Sequence, residues 1–280
     1  MNIGFLHPGA MGISLAASAQ ATGHQAFWVS AGRSDETTAR AAEHNLNESK
    51  SLKDLCETTD VIVSVCPPHA AQNVASQVLE YSFRGIYADV NAISPEKAKS
   101  IHHLMSSRDI DFVDGGIIGG PAWEPESTWL HLAGAKAAEV AACFQGGPLE
   151  TNVMGTEVGK ASAIKMCFAG YTKGTTALLC SIMATADELG IRSELEKQWS
   201  RNGSDFAQRT INRITGVTLK AWRFSGEMEE IAATLQRAGQ PSGFHLSARD
   251  IYDRIAQYKD EKVTPSIEEV LESLKNAKSI

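Results

Sequence analysis

No C-x-x-C pair and no cysteine–histidine array occurs in this sequence. Its five cysteines (Cys56, Cys66, Cys143, Cys167, Cys180) are scattered among apolar neighbours. An odd, dispersed set of this kind excludes a disulfide framework or a structural zinc site, and fits buried free thiols in a reducing cytoplasm. His102-His103 has no cysteine or carboxylate at ligand spacing, so no metal is expected. Basic runs are lacking as well. With 26 Lys+Arg against 33 Asp+Glu the net charge is −7, which argues against a nucleic-acid partner. No apolar run is long enough to span a bilayer. The apolar stretch 9–22 has no basic residues ahead of it and is broken by Gly9 and Gly12, with Pro8 just before it, so it does not read as an export signal. The expectation is a cytoplasmic chain with a small-molecule substrate and neither a nucleic-acid nor a membrane partner.

What is present is alternation. Short apolar runs at 2–6, 25–30, 61–66, 85–90 and 111–113 read as strands, and 9–22, 35–44 and 95–106 as the helices between them. Late strands at 129–133 and 149–154 flank a helix at 135–144. This pattern predicts an α/β fold, a Rossmann doubly wound parallel sheet covered on both faces. The character changes near Gly155. Proline is absent from 156 to 189, and apolar residues occur almost all round the helical wheel. A continuous helix there would be roughly 50 Å long. A helix apolar on every side must be buried on every side, which predicts a second subunit and hence a homodimer. Shorter helices follow at 193–200, 204–214, 227–238, 242–258 and 266–277. The expected division is therefore a nucleotide-binding domain over 1–157 and an all-α substrate and dimerisation domain over 158–280.

The first chemistry lies in Ile3-Gly4-Phe5-Leu6-His7-Pro8-Gly9-Ala10-Met11-Gly12. A strand entering a glycine turn and then a helix aims backbone N–H groups and the helix dipole at a phosphate. Gly9 stands where the dinucleotide pattern lets backbone approach pyrophosphate, and Gly12 where helix packs on strand. His7 replaces the first glycine, and Pro8 must supply part of the turn. At the end of the second strand, Trp28-Val29-Ser30-Ala31-Gly32-Arg33-Ser34 has no carboxylate before Asp35. An NADH enzyme usually carries one there to grip the ribose diol. Ser30, Arg33 and Ser34 instead suit a 2′-phosphate, so NADPH is expected in preference to NADH.

These segments resemble the β-hydroxyacid dehydrogenase and 6-phosphogluconate dehydrogenase superfamily. Gly4–Gly12 is similar to its N-terminal glycine signature, with His7-Pro8 substituted. Cys66-Pro67-Pro68 resembles the end of the family's fourth strand, beside the nicotinamide. Asn91-Ala92-Ile93-Ser94-Pro95 and Val113 through Gly120 resemble its next two motifs, and Gly159 through Lys165 its catalytic-lysine motif. The C-terminal half is similar to a little-characterised, phosphogluconate dehydrogenase-like branch. The resemblance implies cofactor contacts from His7, Pro8, Gly9, Ala10, Met11, Gly12, Cys66, Pro67 and Asn91, and substrate contacts from Ile118, Gly119 and Gly120. It also marks departures. The family's carboxylate-binding serine is Ile118 here, its Asn or His-Asn beyond the lysine is Phe168-Ala169, and the glutamate of its decarboxylating branch is Thr172. With Trp123 nearby in sequence, this implies a drier pocket that turns over 3-hydroxyisobutyrate, glycerate and phosphogluconate poorly.

Lys165 lies in an apolar stretch where a charge is costly unless paired or functional. Beside a reacting oxygen its ammonium stabilises developing negative charge and donates the proton. A lysine snorkelling to solvent is the alternative. Lys173, eight residues on, either reads an anionic group, depresses the proton affinity of Lys165, or snorkels likewise. His245, four before Arg249, either adds a substrate contact or forms a satisfied surface pair with it. The leading expectation is an NADPH-dependent oxidoreductase acting on a hydroxyl or carbonyl, with Lys165 as general acid/base. An imine reductase on the same architecture is one alternative, although those enzymes generally place Asp or Tyr at this position. A non-catalytic NADPH-binding sensor is the other.

Overall fold

The computed structural model describes residues 1–275; the end of the helix expected over 266–277 lies outside the described residues. The chain forms two compact units, Met1–Met166 and Cys167–Ile280.

The first unit is a sheet of eight strands: β1 (Asn2–Phe5), β2 (Gln25–Val29), β3 (Asn47–Ser49), β4 (Val61–Ser64), β5 (Ile86–Asp89), β6 (Asp111–Gly119), β7 (Thr128–Ala133) and β8 (Glu150–Val153). Their order is β3-β2-β1-β4-β5-β6-β7-β8, and the helices α1 (Ala10–Ala21), α2 (Asp35–Glu43), α3 (Leu52–Thr58), α4 (Ala71–Val78), α5 (Pro95–Ser106) and α6 (Ala137–Ala142) link them. Two buried clusters hold the helices against the sheet, one around Ile3, Phe5, Val61 and Leu130, the other around Leu55, Ile62, Tyr87 and Phe112. β1 and β4 are neighbours although β2 follows β1 in sequence. That reversal makes a crevice at the carboxyl ends of these strands, where open α/β sheets take their ligands.

The sheet is not wholly parallel. β6 continues to Gly119, six residues beyond the expected end at 113, and pairs antiparallel with β7 from Asp114↔Ala133 to Gly119↔Thr128. Gly115-Gly116 has little intrinsic strand preference, so the extension is invisible to local pattern; ladder pairing with β7 sustains it. β3, α3 and α4 likewise have no counterpart among the runs legible in the sequence. β3 is a short polar edge strand without alternation, and α3 depends on Ser51 Oγ accepting from Asp54 N at 3.1 Å.

The second unit contains most of α7 (Lys160–Glu188), then α8 (Arg192–Trp199), α9 (Phe206–Val217), α10 (Ala221–Arg237), α11 (Gly243–Arg254) and α12 (Ile267–Lys275). Its core includes Cys180, Met183, Ile214, Met228, Ile231, Tyr252 and Leu271. α10 starts before the expected 227 because buried Ala221, Met228 and Ile231, with half-buried Phe224, recur at helical spacing through Gly226. α7 starts at Lys160 rather than 156, since Gly155 (φ 98°) and Gly159 (φ 102°) occupy left-handed backbone. It is not buried all round. Phe168, Tyr171, Leu178 and Ile182 lie on one exposed stripe, Tyr171 at 71% exposure. Among the described residues no helix is long and apolar enough to cross a membrane.

Candidate functional site

The turn after β1 is held from inside. Gly9 N–H donates to His7 O at 2.8 Å, and Ile13 N–H donates to Gly9 O at 2.9 Å as α1 begins. A Cβ at Gly12 would lie 2.4 Å from His7 O, so only glycine lets the helix start this close to the turn. At Gly9 a Cβ would meet nothing within 4 Å. α1 has no side-chain cap and no acidic residue in its first turn. Its first N–H groups, from exposed Ala10, half-buried Met11 and buried Gly12, therefore meet no acidic side chain of the helix's own first turn. Pro8 is buried beneath the turn.

His7 is half-buried and its Nδ1 has no hydrogen-bond partner among the described residues. Burial, and then the charge of Arg33, lower its pKa to about 4, so it is neutral at physiological pH. Arg33 is also half-buried, and its Nε has no hydrogen-bond partner among the described residues. Ser34 caps α2, its Oγ accepting from Thr37 N at 3.3 Å. The hydroxyl of Ser30 donates to Glu48 Oε1 on the neighbouring strand β3. A carboxylate does therefore stand at the end of β2, supplied from across the sheet and not from the following loop.

At the next strand ends, Asn91 is a clamp. Its Oδ1 accepts from Cys66 N at 2.5 Å, its Nδ2 donates to Ser64 Oγ at 3.1 Å, and its N–H donates to Asp89 Oδ1 at 3.1 Å. Both ends of the amide are engaged within the protein, tying the Cys66-Pro67 turn to β5. Burial raises the Asp89 carboxyl to about 7. Burial, with Asp89 nearby, pushes the Cys66 thiol up to about 12, which keeps it protonated and excludes a thiolate nucleophile. Cys56, Cys143 and Cys180 are buried as expected, whereas Cys167 is exposed: on α7 it falls beside the unpartnered stripe.

The start of α7 is fastened to β6. Asp114 Oδ2 accepts from the N–H groups of Gly159 (2.8 Å), Ala161 (2.9 Å) and Ser162 (3.1 Å), and Oδ1 accepts from Ser162 Oγ at 2.5 Å. Two residues along the strand, on the same face, a Cβ at Gly116 would lie 2.4 Å from Ala161 O and 2.9 Å from Lys165 Cβ. The absent side chain is what lets the helix settle on the strand and carries Lys165, half-buried, over β6. Ile118, half-buried, comes next on that face, followed by exposed Gly119 (φ 123°) and Gly120. Ser14 was not anticipated. Its Oγ donates to Met11 O and accepts from Ala122 N, both at 2.9 Å, so α1 and the segment after β6 are joined. Trp123, the next residue, stacks on His44, with ring centroids 5.1 Å apart.

In the second unit, Lys173 pairs with Glu227, which is buried, and sits 4.2 Å from the Phe224 ring centroid. His245 is not a surface residue. It is buried against Gly170 and Gly174, its Nε2 3.1 Å from Gly170 O, where it packs α11 on α7. Arg249 does form surface ion pairs, with Glu229 and Asp250. Among the described residues no group of three or more His, Cys, Asp or Glu could hold a metal ion.

Residues 2–145 match the model of the NAD binding domain of 6-phosphogluconate dehydrogenase. The chain belongs to this family. It carries that family's NAD-binding domain, followed by a C-terminal domain of unknown function matched over residues 186–255. An uncharacterised 28.5 kDa protein of Methanothermus fervidus is 30% identical over 71% of this chain and 77% of its own length. The mitochondrial 3-hydroxyisobutyrate dehydrogenase of Drosophila melanogaster is 26% identical over 77% of this chain, which spans 64% of that protein. Among solved structures, a conserved protein described as similar to 3-hydroxyacid dehydrogenases aligns with TM-score 0.67, 29% identity and coverage of 92% and 97%. A Salmonella typhimurium 3-hydroxyisobutyrate dehydrogenase gives 0.70, with 15% identity and coverage of 97% and 99%. The Aspergillus terreus reductive aminase in complex with NADPH and ethyl levulinate gives 0.58, with 14% identity and coverage of 97% and 98%. The last two alignments, at 15% and 14% identity, show a shared fold.

Proposed function

We propose that this chain is an NADPH-dependent oxidoreductase that acts on a hydroxyl or carbonyl group of a small molecule, with Lys165 as general acid/base. One observation carries the reading: Asp114 and Gly116 together seat the first turns of α7 on β6, with the Lys165 stem packed over Gly116. The residues fit a dinucleotide. The uncapped N-terminus of α1 and the open space at Gly9 suit pyrophosphate, and Arg33, whose Nε has no partner among the described residues, suits a 2′-phosphate. Bound nicotinamide supplies or takes up the hydride. Lys165 holds a proton at the substrate oxygen, giving it up as a carbonyl is reduced and recovering it as a hydroxyl is oxidised. Its ammonium also stabilises the negative charge that develops on that oxygen. Cys66 and Pro67, held by Asn91, shape the wall at the ends of β4 and β5. In this reading 1–157 is the nucleotide domain, 158–280 the helical substrate and dimerisation domain, and the free thiols suit the cytoplasm.

The test is a fluorescence titration with NADPH and NADH, followed by a panel of carbonyls, alcohols and imines. Saturable NADPH binding is expected, with turnover of carbonyls less polar than 3-hydroxyisobutyrate, glycerate or phosphogluconate. Turnover of imines alone would move the assignment to imine reduction. Binding without any turnover would leave a sensor, and failure of both dinucleotides to bind would end the proposal.

The exposed stripe Phe168, Tyr171, Leu178 and Ile182 is the surface through which two copies pair. Sedimentation should find a dimer for the wild type and a folded monomer for Tyr171→Glu/Leu178→Glu. A monomeric wild type removes the dimer.

A further inference from the structure

A carboxylate reaches the end of β2 from β3 and an arginine follows in the next loop, and the two side chains favour different cofactors. Glu48 lies on β3, whose parallel register sets Trp28 opposite Glu48 and Val29 opposite Ser49. From there its exposed side chain reaches Ser30, whose hydroxyl donates to Oε1. Arg33 lies three residues after Ser30, half-buried, its Nε without a hydrogen-bond partner among the described residues. The acidic residue that usually follows the second strand, about twenty residues after the glycines, is lacking here. The strand next door supplies one instead. A carboxylate there accepts from a ribose hydroxyl and repels a phosphate on the same ribose, whereas a guanidinium binds that phosphate with charge-assisted hydrogen bonds.

We propose that Glu48 is a specificity-determining residue at the adenosine end of the crevice, working against Arg33 so that the site takes both NADPH and NADH. The proposal rests on the dinucleotide reading above. Glu48 holds the Ser30 hydroxyl turned towards β3, so Ser30 is not free to serve a 2′-phosphate unless Glu48 releases it. Because Glu48 is exposed, its repulsion of a phosphate is screened by salt, while its acceptance of a ribose hydroxyl is much less so.

The experiment measures Kd for NADPH and NADH in wild type, Glu48→Gln, Glu48→Ala and Arg33→Met at low and high ionic strength. Glu48→Gln removes the charge but keeps an acceptor. It should tighten NADPH by about three- to tenfold at low salt, a gain that shrinks at high salt. Glu48→Ala should tighten NADPH similarly and also weaken NADH. Arg33→Met should weaken NADPH and leave NADH nearly unchanged. Thermal melts check that the exposed Glu48 variants remain folded. An unchanged NADPH/NADH ratio in both folded Glu48 variants overturns the proposal while leaving the dinucleotide site intact. Should the wild type bind neither cofactor, the dinucleotide reading itself falls, and this inference with it.

Discussion

Lys165→Met should lower kcat by about 10²- to 10⁴-fold, the usual worth of a positioned proton donor, while NADPH affinity stays within about twofold of wild type. Methionine preserves the unbranched stem that packs over Gly116, so the helix keeps its seat and only the ammonium is lost. The proposed pyrophosphate contacts come from the turn at 7–12, a different part of the sheet, which is why binding and turnover should separate. Single-turnover rates alongside the NADPH titration make the measurement. If turnover survives the substitution, the proton comes from elsewhere and Lys165 is a structural residue.

Asp114→Ala should cost about 3–5 kcal/mol of unfolding free energy, because it strands several buried donors at once. The side chain is 1% exposed and accepts from three backbone N–H groups and the Ser162 hydroxyl at the start of α7. An ordinary N-cap loss costs about 0.5–2 kcal/mol; here one carboxylate does the capping and also anchors the helix to the sheet. Asp114→Asn retains the shape with fewer acceptors and should fall between. Urea denaturation of the three proteins gives the comparison. A loss under about 1 kcal/mol for the alanine variant would mean that water replaces the carboxylate without penalty.

Much of the architecture was legible in the chain itself. The apolar runs at 2–6, 61–66 and 85–90 became central strands, because a parallel strand covered on both faces must be apolar at nearly every position. The glycine turn was legible for a similar reason: a helix that starts within 2.4 Å of a carbonyl, measured to the Cβ it lacks, admits only glycine, and Gly12 says so. The remaining features are those that local pattern does not encode. β3 is three polar residues at an edge, and β6 runs through two glycines on the strength of pairing with β7. Asp114 was visible in its motif without a role, since the donors that it serves lie 45 to 48 residues further on. Ser14 looked like one more small residue of a packed helix, yet it ties α1 to Ala122, 108 residues away.

The sequence alone determined the alternation of the central strands and helices, the position of the glycine turn, and the segment carrying the lysine. Each follows from short-range periodicity or from a steric demand met within a few residues. Only the tertiary structure decided what the charged and polar groups face. It gave Glu48 to Ser30, Glu227 to Lys173, Asp114 to the start of α7, and a buried interhelical position to His245. Electrostatic partners are set by strand register and helix docking between residues distant in sequence, and no local pattern carries that information.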